Sequence, residues 1–160
     1  MLPTHALRRI VVSGVCLATL LMSAHPAAAA PLEPPVARGS ELVNLATELV
    51  GSPYRFGGTS PSGFDCSGFV MFVYSQFGIS LPHTEAGQLA SGPAVSADDL
   101  QPGDIVVFAN TYQAGLSHSG IYVGDGRFVH AGNERSGVLV SSLWDGYWGQ
   151  HFVGASRALA

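Results

Sequence analysis

Cys66 is the residue whose surroundings best suit nucleophilic chemistry. The sequence Asp65-Cys66-Ser67-Gly68 lies where a glycine-rich loop meets an apolar helical pattern. Cys66 is therefore expected in the first turn of a helix, beside backbone N–H groups that lack intrahelical partners. Such a position stabilises a thiolate and lowers the pKa of a cysteine below its free value of about 8.5, and the same N–H groups can stabilise an oxyanion. The alternative is an inert cysteine that fills space under the helix.

A nucleophilic cysteine needs a base, and two histidines lie on neighbouring predicted strands. His118 begins one strand, His130 lies near the end of the next, and Gly124-Asp125-Gly126 connects them. A two-residue loop would place the two rings on opposite faces, whereas a three-residue loop with a bulge would pair Gly120 with His130 and place both rings on one face, within hydrogen-bond reach. In the second arrangement His118 takes the Cys66 proton and His130 orients His118. The alternative is two histidines on the surface of a sheet.

The elements that must position these residues are two helices followed by five strands. Ser40 can cap a helix that ends at Gly51, and a second helix is expected over 66–77 with Gly78 after it. Strands are expected at 104–109, 118–123, 127–131, 138–142 and 152–157. Closely spaced strands pair in antiparallel fashion, so the pattern predicts an α+β fold in which the cysteine-bearing helix packs on a mostly antiparallel five-stranded sheet.

The composition is that of a packed globule with many turns. Of 160 residues, 47% are hydrophobic and 11% are charged, and 20 glycines and 10 prolines are scattered along the chain. The net charge is −4 and lysine is absent. The seven arginines are spread out and provide no basic surface for phosphates, so a nucleic-acid partner is not expected.

The first 29 residues have the pattern of a secretory signal peptide. Arg8 and Arg9 precede an uncharged stretch at 10–22, and alanines follow at 27–30. A retained membrane anchor is the alternative, although the stretch is shorter than a bilayer span. Cleavage after Ala29 leaves a proline-rich, extended lead at 30–39 and one domain at 40–160. It also removes Cys16 and two arginines, which leaves a formal charge of −6 and Cys66 as the single thiol of a secreted or cell-envelope protein.

Five ordered segments resemble the NlpC-type cysteine peptidases of bacterial cell walls, which have a papain-like core. The segments are GSPYRFGG at 51–58, FDCSGFV at 64–70, LQPGDIV at 100–106, HSGIYVG at 118–124 and FVHA at 128–131. The resemblance implies that Cys66 is the nucleophile, His118 the base and His130 the third, orienting residue. It also implies that Tyr54 is a phenol that positions the thiol or the oxyanion; a merely packed aromatic is the alternative for Tyr54.

The resemblance further implies an endopeptidase that uses no metal and no organic cofactor. The family typically cleaves γ-D-glutamyl to diaminopimelate (or lysine) amide bonds in peptidoglycan stem peptides, through a thioester on the cysteine. Stem peptides carry carboxylates and amines, so candidate substrate contacts are Arg55, Asp65, Ser67 and Ser117. A monomer is expected, with no membrane contact after signal cleavage.

Some residues depart from the family pattern or have no assigned role. His83 stands where the family often has arginine, and a surface position is the preferred interpretation. Ser119 follows the base where an aliphatic residue is usual, and strand alternation points it away from His118, where it affects packing only. His151 is interpreted as structural. The aromatic residues Trp144, Tyr147 and Trp148 either form a substrate wall or close the core.

Two other functions compete with hydrolysis. A non-catalytic binder of wall peptides would be expected to lack Cys66 or His118, and the chain has both. An amidase or acyltransferase would use the same cysteine and the same thioester, so the motifs do not separate it from an endopeptidase.

Overall fold

The structure is a computed structural model that describes residues 35–159 of the chain. The predicted signal peptide, the first part of the predicted lead and Ala160 lie outside the described residues. Within 35–159, no helix combines the length and the apolar character that crossing a membrane would require.

Residues 35–159 contain four α-helices, and two of them were predicted from the sequence. They are α1 (Pro35–Glu48), α2 (Cys66–Ser75), α3 (Glu85–Leu89) and α4 (Trp148–His151). The first helix begins five residues before Ser40, so the expected extended conformation is wrong for 35–38. Proline is compatible with the first turn of a helix because its missing N–H would have no partner there, and this explains a helix that starts at Pro35.

The α2 helix begins at the predicted residue because its N-cap is strong. The Asp65 side chain accepts a hydrogen bond from the Gly68 backbone N–H at 2.7 Å. Gly78, after the end of the helix, has a φ of +75°, a conformation that favours glycine. The start of α2 therefore follows from a local sequence signal, whereas the helix ends at Ser75, two residues before the predicted end at 77.

One six-stranded antiparallel sheet forms the centre of the molecule. The strands are β3 (Ala94–Val95), β4 (Ile105–Ala109), β5 (Leu116–Gly124), β6 (Arg127–Ala131), β7 (Val138–Ser142) and β8 (Phe152–Ser156), in the order β3-β8-β4-β5-β6-β7. A separate two-stranded ribbon consists of β1 (Thr59–Ser60) and β2 (Gly63–Phe64). All five predicted strands of the sheet are confirmed, but the count of five is wrong because the two-residue β3 adds an edge strand beside β8.

Hydrophobic clusters cover both faces of the sheet. On one face, residues such as Phe69 and Val73 of α2 pack with strand residues such as Ile121 and Val129. The other face carries Val106, Phe108, Tyr122, Phe128, Leu143 and Ala155, with Trp148 of α4 packed against them. Since side chains alternate along a strand, His118 and His130 share the second face with Phe108 and Phe128.

The hairpin between β5 and β6 gives the predicted register by a different turn. Its loop has two residues, Asp125 and Gly126, with φ of +52° and +68°, and a bulge at Val123 shifts the register by one residue. The pairing of Ile121 with Val129 follows, and extending it places Gly120 opposite His130. A two-residue loop alone would have placed the two histidines on opposite faces. The bulge at Val123 shifts the register by one residue and returns them to one face.

Candidate active site

His118 and His130 form the hydrogen bond that the three-residue-loop arrangement predicted. Nε2 of His118 lies 2.7 Å from Nδ1 of His130, with the ring planes at 84°. Nε2 of His118 is therefore occupied, so Nδ1 is the nitrogen that can act as a base. A base at Nδ1 must be unprotonated there, which makes Nε2–H the donor to His130.

The same hydrogen-bond chain continues to Ser141 on β7. Nε2 of His130 lies 2.9 Å from the Ser141 hydroxyl. When Nδ1 of His130 accepts from His118, its proton is on Nε2 and is donated to Ser141. The Ser141 hydroxyl can accept this proton, so the contact is compatible with the tautomer of His130 that accepts from His118. The sequence reasoning missed this residue, since only the β6–β7 register brings it beside His130.

Trp148 covers the pair of imidazoles. Its indole lies 4.9 Å from the His118 ring and 4.8 Å from the His130 ring, centroid to centroid. The two histidines are only 3% and 1% exposed. Burial lowers the pKa of His118 to about 4, and burial together with His118 lowers the pKa of His130 well below its ordinary value. Both rings are therefore neutral near pH 7, and His118 can accept a proton.

Cys66 lies at the start of α2 beside β5. The thiol is free of disulfides, and a hydrogen bond from the backbone of Ser119, the residue after His118, lowers its pKa. The net shift is nevertheless upward, because burial, and after it the charge and hydrogen bond of Glu85, raise the pKa of Cys66 to about 12. Sγ donates to Oε1 of Glu85 at 3.3 Å, and the residue is 3% exposed. The predicted lowering of the thiol pKa is therefore wrong for this state.

Asp65 joins the start of α2 to two loops. Beyond its cap on α2, Oδ2 accepts from the Gly57 N–H at 2.8 Å, and Oδ1 lies 2.8 Å from Nε2 of His83. His83 is 34% exposed at its side chain. The expected surface position of His83 is confirmed, but the ring also contacts the N-cap residue of the cysteine helix.

Gln88 of α3 connects the chain neighbours of Cys66 and His118. Its side-chain amide donates to the Ser67 carbonyl at 2.7 Å and accepts from the Ser119 hydroxyl at 2.8 Å. Gln88 is fully buried. One amide thereby fixes the cysteine helix against the histidine strand. The sequence reasoning missed α3, although Thr84 before it is a recognisable N-cap.

Replacing Ser119 by alanine is expected to lower the free energy of unfolding by about 1–3 kcal/mol. The substitution leaves the buried Oε1 of Gln88 without a donor, and that unsatisfied acceptor carries a desolvation penalty. Denaturant unfolding measures the change. Ser62→Ala is the matched control, since its hydroxyl bonds only Ser60 at the surface, and we expect a change within about 0.5 kcal/mol. Equal losses in both variants would contradict a role for the Gln88 contact.

The expected substrate contacts differ in their surroundings. Asp65, Ser67 and Ser117 are buried and bonded to protein: the Ser67 carbonyl to Gln88, and the Ser117 hydroxyl to Thr111 at 2.9 Å. Arg55 is exposed. The buried positions favour supporting roles, and contact of any of the four with substrate stays a prediction.

Tyr54 lies close enough to Cys66 for their ionisations to interact. Burial, and after it Cys66, raise the pKa of the phenol, which is therefore a protonated donor near pH 7. Tyr112, which the sequence reasoning missed, has its pKa raised to about 12 by burial and then by Cys66. Two phenols thus lie around the thiol.

A cavity of about 440 Å³ opens beside the histidines. It is lined by Thr111, Tyr112, His118, His130, Gly132, Asn133, Ser136, Leu139, Ser141, Tyr147 and Trp148. Tyr147 and Trp148 are part of this wall, whereas Trp144 packs on Phe152 outside it. The mixture of hydroxyl, amide and aromatic side chains around the cavity suits a short polar peptide.

His151 lies outside the cavity lining. Its ring bonds the Ala109 carbonyl at 2.8 Å, in keeping with a structural role.

No group of three or more His, Cys, Asp or Glu side chains among residues 35–159 is arranged to hold a metal ion. The chemistry that the described side chains can perform is proton transfer and nucleophilic attack. Among residues 35–159 the site contains the Cys66 thiol, the hydrogen-bonded neutral imidazoles of His118 and His130, and the start of a helix.

Comparison with known proteins places the chain in a protein family. Residues 51–157 match the model of the NlpC/P60 family. Gamma-DL-glutamyl hydrolase of Bacillus subtilis (strain 168) is 45% identical over 118 residues, which cover 72% of this chain and 28% of that protein. A protein of the same strain named "Probable peptidoglycan endopeptidase LytE" is 43% identical over 118 residues, covering 74% of this chain and 34% of that protein.

A solved structure agrees with these sequence matches. A protein of the same family from Bacillus cereus ATCC 10987 superimposes with a TM-score of 0.72 and 33% identity, over 76% of this chain and 40% of that one. The chain spans only about a third or less of the length of Gamma-DL-glutamyl hydrolase and of the LytE protein. The resemblance noted from the five sequence segments is confirmed.

Proposed function

Because the chain belongs to the NlpC/P60 family, we propose that it is an extracytoplasmic cysteine endopeptidase that hydrolyses amide bonds in peptidoglycan stem peptides. The observation that carries this proposal is the 2.7 Å hydrogen bond between His118 and His130, on the strand that also binds Cys66 through the Ser119 backbone. Neutral, buried imidazoles on the strand that binds the thiol suit proton transfer to and from sulfur and nitrogen.

The reaction begins with transfer of the Cys66 proton to Nδ1 of His118 as sulfur attacks the carbonyl carbon. The oxyanion accepts hydrogen bonds from the first-turn N–H of α2 and from the Tyr54 hydroxyl. The C–N bond then breaks, and His118 returns the proton to the leaving amine. Water attacks the thioester while it gives a proton to His118. The C–S bond then breaks, His118 returns this proton to sulfur, and the carboxylic acid loses its own proton to solvent, which leaves a carboxylate and the regenerated thiol.

His130 and Ser141 act through the base. His130 accepts the Nε2–H of His118 and so holds the ring with Nδ1 free for the Cys66 proton. Ser141 accepts the remaining proton of His130 in this tautomer. The indole of Trp148 keeps water from both rings, which keeps them uncharged.

The bond that is cleaved is the γ-D-glutamyl to diaminopimelate amide. The name of the 45% identical relative, Gamma-DL-glutamyl hydrolase, supports a γ-glutamyl acyl group. Arg55, on the exposed loop before α2, and the polar cavity beside His118 are available to the carboxylates and amides of such a peptide. The chain acts as a monomer after removal of residues 1–29, and the acidic charge and single thiol of the remaining part suit an exported enzyme.

Mass analysis of defined muropeptides tests this function. The chain from residue 30 onward is incubated with muropeptides in ¹⁸O-labelled water, with and without an added amine acceptor, and Cys66→Ala serves as the control. We expect two fragments separated at the γ-D-glutamyl bond, with one ¹⁸O in the new carboxyl group. Intact muropeptides would reject the proposal, equal yields from the control would reject the cysteine mechanism, and an amine adduct in place of the labelled acid would identify an acyltransferase.

A further inference from the structure

The hydrogen bond from Cys66 to Glu85 gives the nucleophile an acceptor other than His118. Sγ lies 3.3 Å from Oε1 of Glu85, the first residue of α3. Within residues 35–159, Nδ1 of His118 has no hydrogen-bond partner. The thiol proton therefore points to the carboxylate of Glu85 in this state.

Glu85 is held in place by the short helix that carries it. The Thr84 side chain caps α3 by accepting from the Gly87 N–H at 3.2 Å, and Gln88 anchors the helix to Ser67. The carboxylate is half-buried at the edge of the thiol, which is 3% exposed. Its position is thus determined by the same element that fixes α2 against β5.

The other ionisable groups around the thiol do not neutralise this carboxylate. Asp65 adds a second negative charge, and Tyr54 and Tyr112 are phenols whose protonated forms are favoured. His83 is directed to Asp65, and His118 is neutral near pH 7. Glu85 of α3 and Asp65 at the cap of α2 therefore place negative charge around Cys66. Among residues 35–159, no cation near the thiol compensates for this charge.

We propose that Glu85 is a positioning residue that acts through Cys66: its carboxylate holds the Sγ–H proton away from His118, so the nucleophile becomes reactive only when this hydrogen bond is released. The inference rests on the proposed function in taking Cys66 as the nucleophile. The proton stays on sulfur while Glu85 accepts the bond, and it moves to Nδ1 of His118 once the thiol turns to the base.

The pH dependence of Cys66 alkylation by iodoacetamide tests this role without any peptide substrate. Glu85→Gln keeps the shape of the side chain but removes its charge, so the thiolate of Cys66 is favoured. The wild-type alkylation profile has its midpoint above about pH 8.5, and we expect the midpoint of Glu85→Gln to be lower by at least about one pH unit. At pH 7.5 the alkylation rate rises about threefold for each pH unit by which the midpoint falls. The thiolate concentration rises about tenfold per unit, but the less basic thiolate is also less nucleophilic.

Two further variants make the outcome decisive. Glu85→Ala removes the acceptor as well as the charge, so its midpoint falls at least as far as that of Glu85→Gln. Glu48→Gln removes an exposed carboxylate from α1 and leaves the midpoint unchanged. Circular dichroism verifies that each variant is folded. A Glu85→Gln midpoint equal to the wild-type midpoint, or a smaller shift in Glu85→Ala than in Glu85→Gln, overturns the proposal. Failure to cleave muropeptides would leave this measurement unaffected and would count only against the proposed function.

Discussion

Replacing Cys66 by alanine is expected to reduce kcat/KM for a cleavable muropeptide by at least about 10⁴-fold, because no other side chain can form the thioester. His118 and His130 would keep their hydrogen bond in this variant, but the base would have no nucleophile to activate. Cys66→Ser should be similarly inactive, since a hydroxyl is far harder to deprotonate than a thiol. Initial rates of fragment release, measured by mass spectrometry against the wild-type chain, give the comparison.

Ser75→Ala is the matched control for this loss. It removes one heteroatom from the same helix at the opposite, exposed end, where the hydroxyl donates to the Phe72 carbonyl and accepts from the side-chain amide of Gln76. We expect wild-type rates from it. Because Cys66 is buried, near-equal unfolding transitions of Cys66→Ala and wild type must accompany the lost activity. A Cys66→Ala protein that retains a tenth of the wild-type rate would assign the chemistry to another residue.

The long elements of the fold were predictable because their signals are local. The cap at Asp65 and the positive φ at Gly78 mark the neighbourhood of α2, and alternation marks the five longer strands. The short elements were missed for a physical reason. The strand Ala94–Val95 exists because it pairs with Ser156 and Ala155, and two residues are too few to show a period. Long-range pairing decides such an element, not its own sequence.

The shared face of His118 and His130 was predictable only as one of two alternatives. The loop of Asp125 and Gly126 has two residues, and it is the bulge at Val123 that restores the register. A bulge depends on how the twisted strands fit their neighbours, and a single extra residue reverses which face a side chain occupies. Sequence spacing therefore identified the two histidines but not the turn that joins them.

The protonation state of Cys66 was predicted wrongly because its main charged partner is distant in sequence. The position at the start of α2 is correct, and the backbone there favours a thiolate. Glu85, however, is 19 residues away and reaches the thiol only because α3 folds against α2 and β5. Burial of the thiol raises its pKa more than Glu85 does, and it too arises from this packing. Tertiary contacts thus outweigh the local effect of the helix start, and only the structure reveals them.

Gly120→Ala is expected to lower kcat by roughly 10²-fold, the loss that a misplacement of about 1 Å in a catalytic group can cause. Gly120 lies opposite His130, and a Cβ there would lie 2.7 Å from the Phe128 ring, 2.8 Å from the Val129 carbonyl oxygen and 3.1 Å from Cβ of His130. The backbone oxygen cannot move freely, so the strain is expected to displace His130 from His118. The unfolding free energy should fall by about 1–3 kcal/mol.

Gly154→Ala separates this local displacement from a general intolerance of the sheet to alanine. Gly154 lies in β8 of the same sheet, and its nearest contact to an added Cβ is Cδ1 of Leu89 at an ordinary 3.7 Å. We expect its kcat to equal that of wild type and its stability to change by less than about 0.5 kcal/mol. Nitrogen NMR of the imidazoles should show a changed hydrogen bond between His118 and His130 in Gly120→Ala alone. Unchanged kcat in Gly120→Ala, with the protein folded, would mean that the spacing of the two rings does not limit the reaction.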